Sequence, residues 1–298
     1  MHDTRTAAIQ IKANGIELCA DTFGDPAATP LVLIMGLAAQ MISWDEAFCE
    51  ALAARGYRVI RFDNRDIGKS AWLDHLGVPN TMALMAKAAL GLKQKVPYTL
   101  RDMAADTIGV LDAFGLRRAH IVGASMGGAI AQELAINFAG RLQTITSIMS
   151  STGDPKLPAP TAEALSVLFS PSPTTRDGYI THHTRVLRVL RGPHFPEDEA
   201  GDADRAARNF ERGINPAGVG RQLAAIFASG NRTAALANVE TPTLVIHGDA
   251  DPLVRVAGGR ATAKAIAGAK LEILAGMGHT LPRALWPRII DTIAAHAR

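Results

Sequence analysis

The sequence predicts an α/β fold, with a mostly parallel central sheet, helices on both faces and an inserted helical cap. Short β-branched and aliphatic runs alternate with helix-like segments, which is typical of parallel sheets. This alternation stops between residues 151 and 238, where proline-rich turns replace the strands. The 298 residues, 48% of them hydrophobic, suffice for one large core with an insertion. We therefore predict a core of residues 1–150 and 239–298 and a helical cap of residues 151–238.

The predicted strands are a leading hairpin and six aliphatic runs. Residues 9–11 and 16–18 are separated by Asn14 and Gly15, a dipeptide that favours a tight hairpin, so the leading edge of the sheet is predicted to be antiparallel. The later runs are residues 31–35, 57–62, 120–122, 144–149, 243–246 and 271–274. Helical connections between these runs predict that they pair in parallel.

Four helices are predicted outside the insertion. They cover residues 46–55, 100–114, 126–138 and 282–296, and Pro282 suits the first turn of the last helix. Inside the insertion, two proline-rich stretches, residues 157–160 and 170–173, mark turns between helix-like segments. We interpret the insertion as a helical cap on the core rather than as an independent domain.

The charge pattern argues against polyanionic partners. The 31 basic and 28 acidic residues leave a formal charge of +3, so neither nucleic acid nor a membrane surface is a predicted partner. No apolar run approaches the roughly 20 residues of a membrane span, and the polar N-terminus leads into no signal-peptide run. We expect a cytoplasmic protein whose Cys19 and Cys49 are buried, reduced thiols. The composition leaves the oligomeric state open.

Ser125 is the first candidate catalytic residue. It lies in a Gly-Ala-Ser-Met-Gly-Gly run that directly follows a predicted strand and precedes a predicted helix. A serine on so sharp a strand-to-helix turn adopts a strained backbone conformation. The neighbouring glycines Gly123, Gly127 and Gly128 leave room for the turn. The pattern indicates a nucleophile elbow; the alternative is an ordinary glycine-rich loop.

A serine nucleophile needs a histidine to accept its proton and an acid to orient that histidine. Both residue types follow late strands of the sequence. Asp249 and Asp251 come directly after the run at 243–246, and His279 comes after the run at 271–274. Catalytic groups of open α/β sheets gather at the carboxyl ends of the strands, so these side chains are expected near Ser125.

Four segments, taken in their order along the chain, resemble the motifs of the α/β-hydrolase superfamily. They are residues 34–37 (Ile-Met-Gly-Leu), residues 62–70 after the next predicted strand, the elbow, and the two late loops with their acids and histidine. The order of serine, acid and histidine along the chain is also that of the superfamily. The resemblance covers almost the whole chain and is weakest in the cap.

The resemblance implies a role for each residue of the candidate site. Ser125 would be the nucleophile and His279 the general base. Asp251 would be the orienting acid, because the acid of the family is followed by Pro-Leu-Val. Asp249 competes for this role, and its alternative is a hydrogen bond to the loop backbone.

The resemblance also implies an oxyanion hole made of two backbone N–H groups. Met126 would supply one and Leu37 the other. Met35 stands where many relatives carry a histidine, which leaves the geometry of this loop open.

Other polar residues of the motifs are interpreted as structural. Asp63, Arg65 and Asp66 are expected to form a charged network at the end of a strand. His75 and His247 are expected to have structural or surface roles, and His182 and His183 are expected to be solvated residues of the cap.

A serine at position 125 argues against dehalogenases and epoxide hydrolases of this fold, whose nucleophile is an aspartate. The segments resemble small carboxylesterases that include the aclacinomycin methylesterases, which implies hydrolysis of a small-molecule ester through an acyl-enzyme, without cofactor or metal. Lactone hydrolysis, carbon-carbon bond hydrolysis, cofactor-free perhydrolysis and a non-catalytic ligand receptor remain alternatives. In the cap, four apolar residues either line a substrate pocket or pack a helix on the core: Leu165, Val167, Leu168 and Phe169.

Overall fold

An eight-stranded sheet forms the centre of the protein, seen in a computed structural model that describes residues 5–80, 83–84, 86–87, 94–195 and 198–298. The strands are β1 Ile9–Ala13, β2 Ile16–Phe23, β3 Thr29–Ile34, β4 Tyr57–Phe62, β5 Ala119–Ala124, β6 Leu142–Ile148, β7 Thr243–Gly248 and β8 Lys270–Leu274. Their spatial order is β1-β2-β4-β3-β5-β6-β7-β8. All eight predicted strand positions are confirmed.

The sheet is parallel from β4 onwards and antiparallel at its leading edge. β2 pairs antiparallel with both β1 and β4, whereas the pairs from β3–β4 to β7–β8 are all parallel. The predicted hairpin joins β1 to β2, and its turn residues Asn14 and Gly15 both have positive φ, 49° and 81°. The carboxyl ends of the parallel strands therefore lie at one edge of the sheet.

Ten helices are described. Their bounds are α1 Glu46–Ala53, α2 Leu100–Ala113, α3 Met126–Asn137, α4 Ala162–Leu168, α5 Arg176–Arg191, α6 Glu199–Arg212, α7 Pro216–Ser229, α8 Thr233–Leu236, α9 Ala257–Ala265 and α10 Trp286–His296. The predicted helices at 46–55, 100–114 and 126–138 are confirmed as α1, α2 and α3. The sequence prediction did not include α9, whose first turn contains two glycines, poor helix formers.

The start of the last helix differs from the prediction. Pro282 is extended, with φ −62° and ψ 138°, and it precedes a 3₁₀ turn over Arg283–Leu285. The helix α10 begins at Trp286, and Pro287 occupies its first turn. Because a proline in the first turn loses no intrahelical hydrogen bond, either proline fits the rule, and the structure selects the second.

Helices cover both faces of the sheet, as predicted. Val32 and Ile34 of β3 belong to the apolar cluster that includes α2 and α3, whereas Leu31 and Leu33 belong to the cluster that includes α1 and α10. Successive residues of a strand point to opposite faces, so a strand buried on both sides reads as a continuous apolar run.

The helices α4 to α8 lie between β6 and β7, and the described part of residues 151–238 contains no strand. We call residues 151–238 the inserted segment.

Cys19 in β2 and Cys49 in α1 are both buried and free, as predicted. Among the described residues, no helix has the length and apolar character that crossing a bilayer requires.

Candidate active site

Ser125 lies at the sharp turn between β5 and α3. Its φ is 56° and its ψ is −118°, a conformation that costs a non-glycine residue on the order of 1–3 kcal/mol. The Ser125 N–H donates to the carbonyl of Ile148 at 2.9 Å, which ties the turn to the end of β6. The side chain points into a cavity above the sheet.

The glycines around Ser125 are explained by close contacts with neighbouring atoms. A Cβ on Gly123 would lie 2.0 Å from the carbonyl oxygen of Gly127, and one on Gly127 would lie 2.2 Å from that of Ile34. A Cβ on Gly128 would lie 2.7 Å from the Cβ of Ser150. No larger residue fits these positions without backbone movement, so the glycines allow α3 to begin directly above the sheet.

Three predicted catalytic side chains lie in hydrogen-bond contact. The Nε2 atom of His279 is 2.9 Å from the Ser125 Oγ, and its Nδ1 is 2.8 Å from Oδ2 of Asp251. With Nδ1 protonated towards the carboxylate, Nε2 is free to accept the serine proton. Asp251 is 1% exposed and His279 is 8% exposed, so water is largely excluded from the contact between them.

The Asp251 carboxylate is held by backbone donors as well. Its Oδ1 accepts the N–H groups of Leu253 at 2.9 Å and Val254 at 2.8 Å. Burial by itself raises the pKa of Asp251, but the charge of His279 and the contact with His247 outweigh it and hold the pKa well below its usual value. Asp251 is therefore ionised at neutral pH.

The competing acid, Asp249, has a different position. Its Oδ1 accepts the backbone N–H of Gly276 at 2.7 Å, and it makes no contact with His279 among the hydrogen bonds of the described residues. Asp249 thus joins the loop after β7 to the loop after β8. This is the loop-bonding alternative that the sequence left open.

His247 lies directly behind Asp251. Its imidazole is fully buried, with Nε2 2.7 Å from the Val254 carbonyl oxygen and 3.5 Å from Oδ2 of Asp251. Because a carbonyl only accepts, Nε2 must carry the proton. The Nδ1 atom has no partner among the described residues. The sequence indicated a structural or surface residue but not its contact with the acid.

The loop after β3 lies against Ser125. A Cβ on Gly36 would be 3.0 Å from the Cβ of Ser125, and Leu37 and Met126 line the same cavity. Within the described chain, neither the Leu37 N–H nor the Met126 N–H donates to a protein acceptor. The two N–H groups predicted for an oxyanion hole therefore have no protein acceptor among the described residues.

Sequence reasoning missed Gln222, which holds this loop in place. Its Oε1 accepts the N–H of Ala38 at 3.1 Å, and its Nε2 donates to the Arg65 carbonyl at 2.8 Å. Ala38 has a positive φ of 59°, so the loop needs an external partner at this residue. A glutamine on an amphipathic helix carries no sequence signal for such a role.

The predicted charged network is present and reaches into the inserted segment. Asp63 accepts the Met41 N–H at 2.7 Å and pairs with Arg212, while Asp66 accepts two hydrogen bonds from Arg221, at 2.7 and 2.8 Å. Arg65 pairs with Asp106 of α2, with its Nε 2.6 Å from the carboxylate. These contacts join the loop after β4 to α2, α6 and α7.

The cavity beside Ser125 has a volume of about 1730 Å³. It lies between the carboxyl edge of the sheet and the inserted segment. Four apolar residues for which the sequence left two roles open all line it, namely Leu165, Val167, Leu168 and Phe169. This supports the pocket alternative for α4.

The prediction for two histidines of the inserted segment is wrong. His182 and His183 are partly buried and line the cavity instead of facing solvent. His183 stacks on Tyr179, with ring centroids 5.7 Å apart. Burial and the charge of Arg205 lower the pKa of His183 to about 4, so its ring is neutral at pH 7. His75 is exposed, in agreement with a surface role.

Comparisons with known proteins identify the family of the chain. The family model described as the alpha/beta hydrolase fold matches residues 29–282. The chain is 31% identical over 309 residues to rhodomycin D methylesterase DauP of Streptomyces sp. strain C5, covering 97% of each protein. It is also 31% identical to rhodomycin D methylesterase DnrP of Streptomyces peucetius, covering 95% of each. The resemblance that the sequence motifs indicated is thereby confirmed.

Among solved structures, the chain is similar to 2-hydroxy-6-oxo-6-phenylhexa-2,4-dienoate hydrolase of Rhodococcus sp. strain RHA1, with a TM-score of 0.75 at 21% identity, covering 97% of this chain and 98% of that one. At this identity the likeness concerns the fold.

In the described part of the chain, no three histidine, cysteine, aspartate or glutamate side chains are grouped as metal ligands.

Proposed function

Because the chain belongs to the α/β-hydrolase family, we propose that it is a serine carboxylesterase whose catalytic residues are Ser125, His279 and Asp251. The observation that carries this proposal is the continuous contact from Ser125 Oγ through His279 to the buried Asp251 carboxylate. An accessible hydroxyl, a correctly oriented imidazole and an ionised acid are what acyl transfer to serine requires.

In the proposed reaction, His279 Nε2 takes the proton of Ser125 as Oγ attacks the ester carbonyl. The resulting oxyanion accepts hydrogen bonds from the backbone N–H groups of Leu37 and Met126. The intermediate then collapses, and the departing alkoxide leaves as an alcohol with the proton held by His279. Water is deprotonated by His279 in turn and attacks the acyl group, which releases the acid and restores Ser125.

We propose that the substrate is the ester of a large acid with a small alcohol. Two observations support this. The cavity of about 1730 Å³ exceeds what a short acyl chain fills. The two full-length relatives are named as methylesterases, which implies a methyl ester as the bond that is cleaved.

The inserted segment is proposed to act as a cap over this site, with residues 1–150 and 239–298 as the catalytic core. Its helices α4, α5 and α7 supply much of the cavity wall, while Ser125, Asp251 and His279 come from loops of the core. Under this division the core performs the chemistry and the cap selects the acid.

The test is hydrolysis of p-nitrophenyl acetate by the Ser125→Ala variant. Loss of the nucleophile should lower kcat on the order of 10³-fold or more without lowering the melting temperature. Ser166→Ala, a change on the exposed side of α4, is the matched control. An organophosphonate should label Ser125, as read by peptide mass spectrometry, and EDTA should leave the rate unchanged. Label on another serine, or an active Ser125→Ala variant, would refute the assignment.

A further inference from the structure

The loop after β3 is held by the core at both of its ends. The side chain of Asn64 donates to the Met35 carbonyl at 2.9 Å, and the Asp63 carboxylate accepts the Met41 N–H at 2.7 Å. Residues 36–40 lie between these ends and contain one of the two N–H groups proposed to bind the oxyanion. We call residues 36–40 the oxyanion loop.

Two contacts from the inserted segment reach the oxyanion loop. At the end of α6, the carbonyls of Asn209 and Gly213 accept the side-chain amide of Gln40 at 2.8 and 2.9 Å. From α7, the Oε1 atom of Gln222 accepts the N–H of Ala38 at 3.1 Å. The first contact holds a side chain of the loop, whereas the second holds its backbone.

The amide of Gln222 is buried and is used at both ends. The residue has 0% exposure, and its Nε2 donates to the Arg65 carbonyl at 2.8 Å while its Oε1 accepts the Ala38 N–H. Removing the amide would leave a donor and an acceptor of the backbone unpaired in an enclosed position, which is costly. The oxyanion loop would then have to move to find other partners.

The Ala38 backbone transmits such a movement to the site. Its φ of 59° is left-handed, a strained conformation that persists only where the surrounding structure fixes it. The Leu37 N–H belongs to the neighbouring peptide unit, so a shift at Ala38 changes the direction of this donor. The loop also lies directly against the nucleophile, since a Cβ on Gly36 would be 3.0 Å from the Cβ of Ser125.

The residue before Gln222 fixes α7 on the core. Arg221 is fully buried and donates to the Asp66 carboxylate at 2.7 and 2.8 Å and to Asp74 at 2.6 Å. Two consecutive residues of α7 therefore bind the loop after β4 and the oxyanion loop. The position of α7 thus determines whether the acceptor for the Ala38 N–H is in place.

We propose that Gln222 is a positioning residue of the oxyanion hole, so that the inserted segment sets the rate of the chemical step in addition to lining the cavity. This rests on the proposed function, in which the Leu37 N–H donates to the oxyanion. By holding Ala38, Gln222 keeps that donor directed at the space beside Ser125. An oxyanion donor acts on the transition state rather than on the bound ester, so the effect belongs to kcat and not to KM.

The test begins with Gln222→Met, which keeps the length of the side chain and removes the amide. The kcat for p-nitrophenyl acetate should fall about 10- to 100-fold, the cost of misplacing a catalytic group by about 1 Å, while KM changes less than about threefold. Gln222→Glu keeps an oxygen for the Ala38 N–H and should raise kcat at least about fivefold above that of Gln222→Met. If Gln222→Met does not fold, the shorter Gln222→Asn takes its place with the same expectations.

Ser229→Ala is the matched control, because it removes a different contact between α7 and the core. The Ser229 Oγ accepts the N–H of Leu100 at 3.2 Å, about 10 Å along the helix from Gln222. This variant should keep kcat within about twofold even if its melting temperature falls. Equal losses of kcat in the two variants, or no recovery of kcat in Gln222→Glu, would overturn the proposal.

Binding of phenylboronic acid tests the oxyanion hole without ester hydrolysis. A bond forms between Ser125 Oγ and boron as the Oγ proton passes to His279, which gives a tetrahedral anion that resembles the transition state. The Kd, measured by isothermal titration calorimetry, should rise in Gln222→Met by about the factor lost in kcat. It should stay unchanged in Ser229→Ala.

The two measurements separate this proposal from the proposed function. If the unchanged protein hydrolyses p-nitrophenyl acetate but Gln222→Met leaves kcat or the Kd of the boronic acid unaltered, the positioning role fails alone. If the unchanged protein hydrolyses no ester but binds the boronic acid, and Gln222→Met weakens that binding, the esterase proposal fails and the positioning role stands. A protein that neither hydrolyses the ester nor binds the boronic acid would overturn both.

Discussion

At the scale of single residues, the Asp251 carboxylate is held in place from both sides. It accepts two backbone N–H groups and the His279 Nδ1–H, and the His247 Nε2 atom lies 3.5 Å from its Oδ2. These donors fix both oxygens, so the carboxylate can orient His279 without moving. Asp249, two residues earlier, instead accepts a backbone N–H from the neighbouring loop.

The first prediction compares the two acids. Asp251→Asn should lower kcat on the order of 10⁴-fold, because an amide in this position favours the wrong tautomer of His279 and cannot stabilise the imidazolium. Asp249→Asn keeps an acceptor for Gly276 and should lower kcat less than about tenfold. Steady-state hydrolysis of p-nitrophenyl acetate measures both, and the reverse ranking would move the acid to Asp249.

The second prediction concerns His247 as a positioning residue. His247→Met removes the N–H behind Asp251 and should lower kcat about tenfold with little change in KM. His247→Gln, whose amide can replace the N–H, should restore kcat. A lower melting temperature with unchanged kcat and KM would mean that His247 supports only the fold.

The sequence predicted which residues meet at the candidate site better than it predicted the residues that hold them in place. Ser125, Asp251 and His279 were recognisable because each follows a strand and because their order is that of a known family. Gln222 and His247 were not, since their roles depend on distances between segments far apart in the chain, 184 residues in the case of Gln222 and Ala38. His183 was misplaced because an adjacent histidine pair does not reveal which face of a helix meets a cavity.

At the scale of elements, the turn from β5 to α3 is set by glycines rather than by helix capping. Ser125 precedes α3 but provides no side-chain cap, so its hydroxyl stays available. Because Gly123 and Gly127 have no side chains, β5 and the start of α3 lie closer together than a strand and the following helix usually do. The elbow could be predicted from the sequence because these glycines have fixed positions relative to the serine.

The third prediction tests this packing. Gly123→Ala should lower the free energy of unfolding by about 3 kcal/mol or more, because its Cβ would meet the Gly127 carbonyl at 2.0 Å. Gly140→Ala is the matched control, since a Cβ there meets nothing within 4 Å, and it should change stability by less than about 1 kcal/mol. Urea unfolding followed by circular dichroism measures both. Equal stability of the two variants would contradict the packing argument.

The position of the inserted segment could not be predicted from the sequence. Its attachment depends on Arg212 reaching Asp63 and Arg221 reaching Asp66, pairs separated by 149 and 155 residues. The acids were recognisable as a network at the end of β4, but their partners lie on amphipathic helices among many other arginines. Only the folded chain identifies which arginines turn inward.

At the scale of the whole molecule, the parallel sheet was predictable and the cavity was not. Strands buried on both faces appear as continuous apolar runs, and the helices between them follow from parallel pairing. The cavity lies between the carboxyl edge of the sheet and the inserted segment. The inserted segment belongs to neither face of the sheet. Its volume of about 1730 Å³ is set by how far α4, α5 and α7 stand from the sheet, which no local pattern encodes.

The last prediction tests whether this volume selects the substrate. Leu223 lines the cavity from α7, and Leu223→Trp should fill part of the space that the large acid of the proposed ester occupies. The ratio of kcat/KM for methyl anthracene-2-carboxylate to that for p-nitrophenyl acetate should fall at least tenfold, because the loss of space affects the large acid more than the acetyl group. Thr181→Trp, on the exposed face of α5 and outside the cavity lining, should leave this ratio unchanged. If both variants change the two substrates in equal proportion, the cavity does not determine acid size, and selection must lie in the narrow space around Ser125 itself.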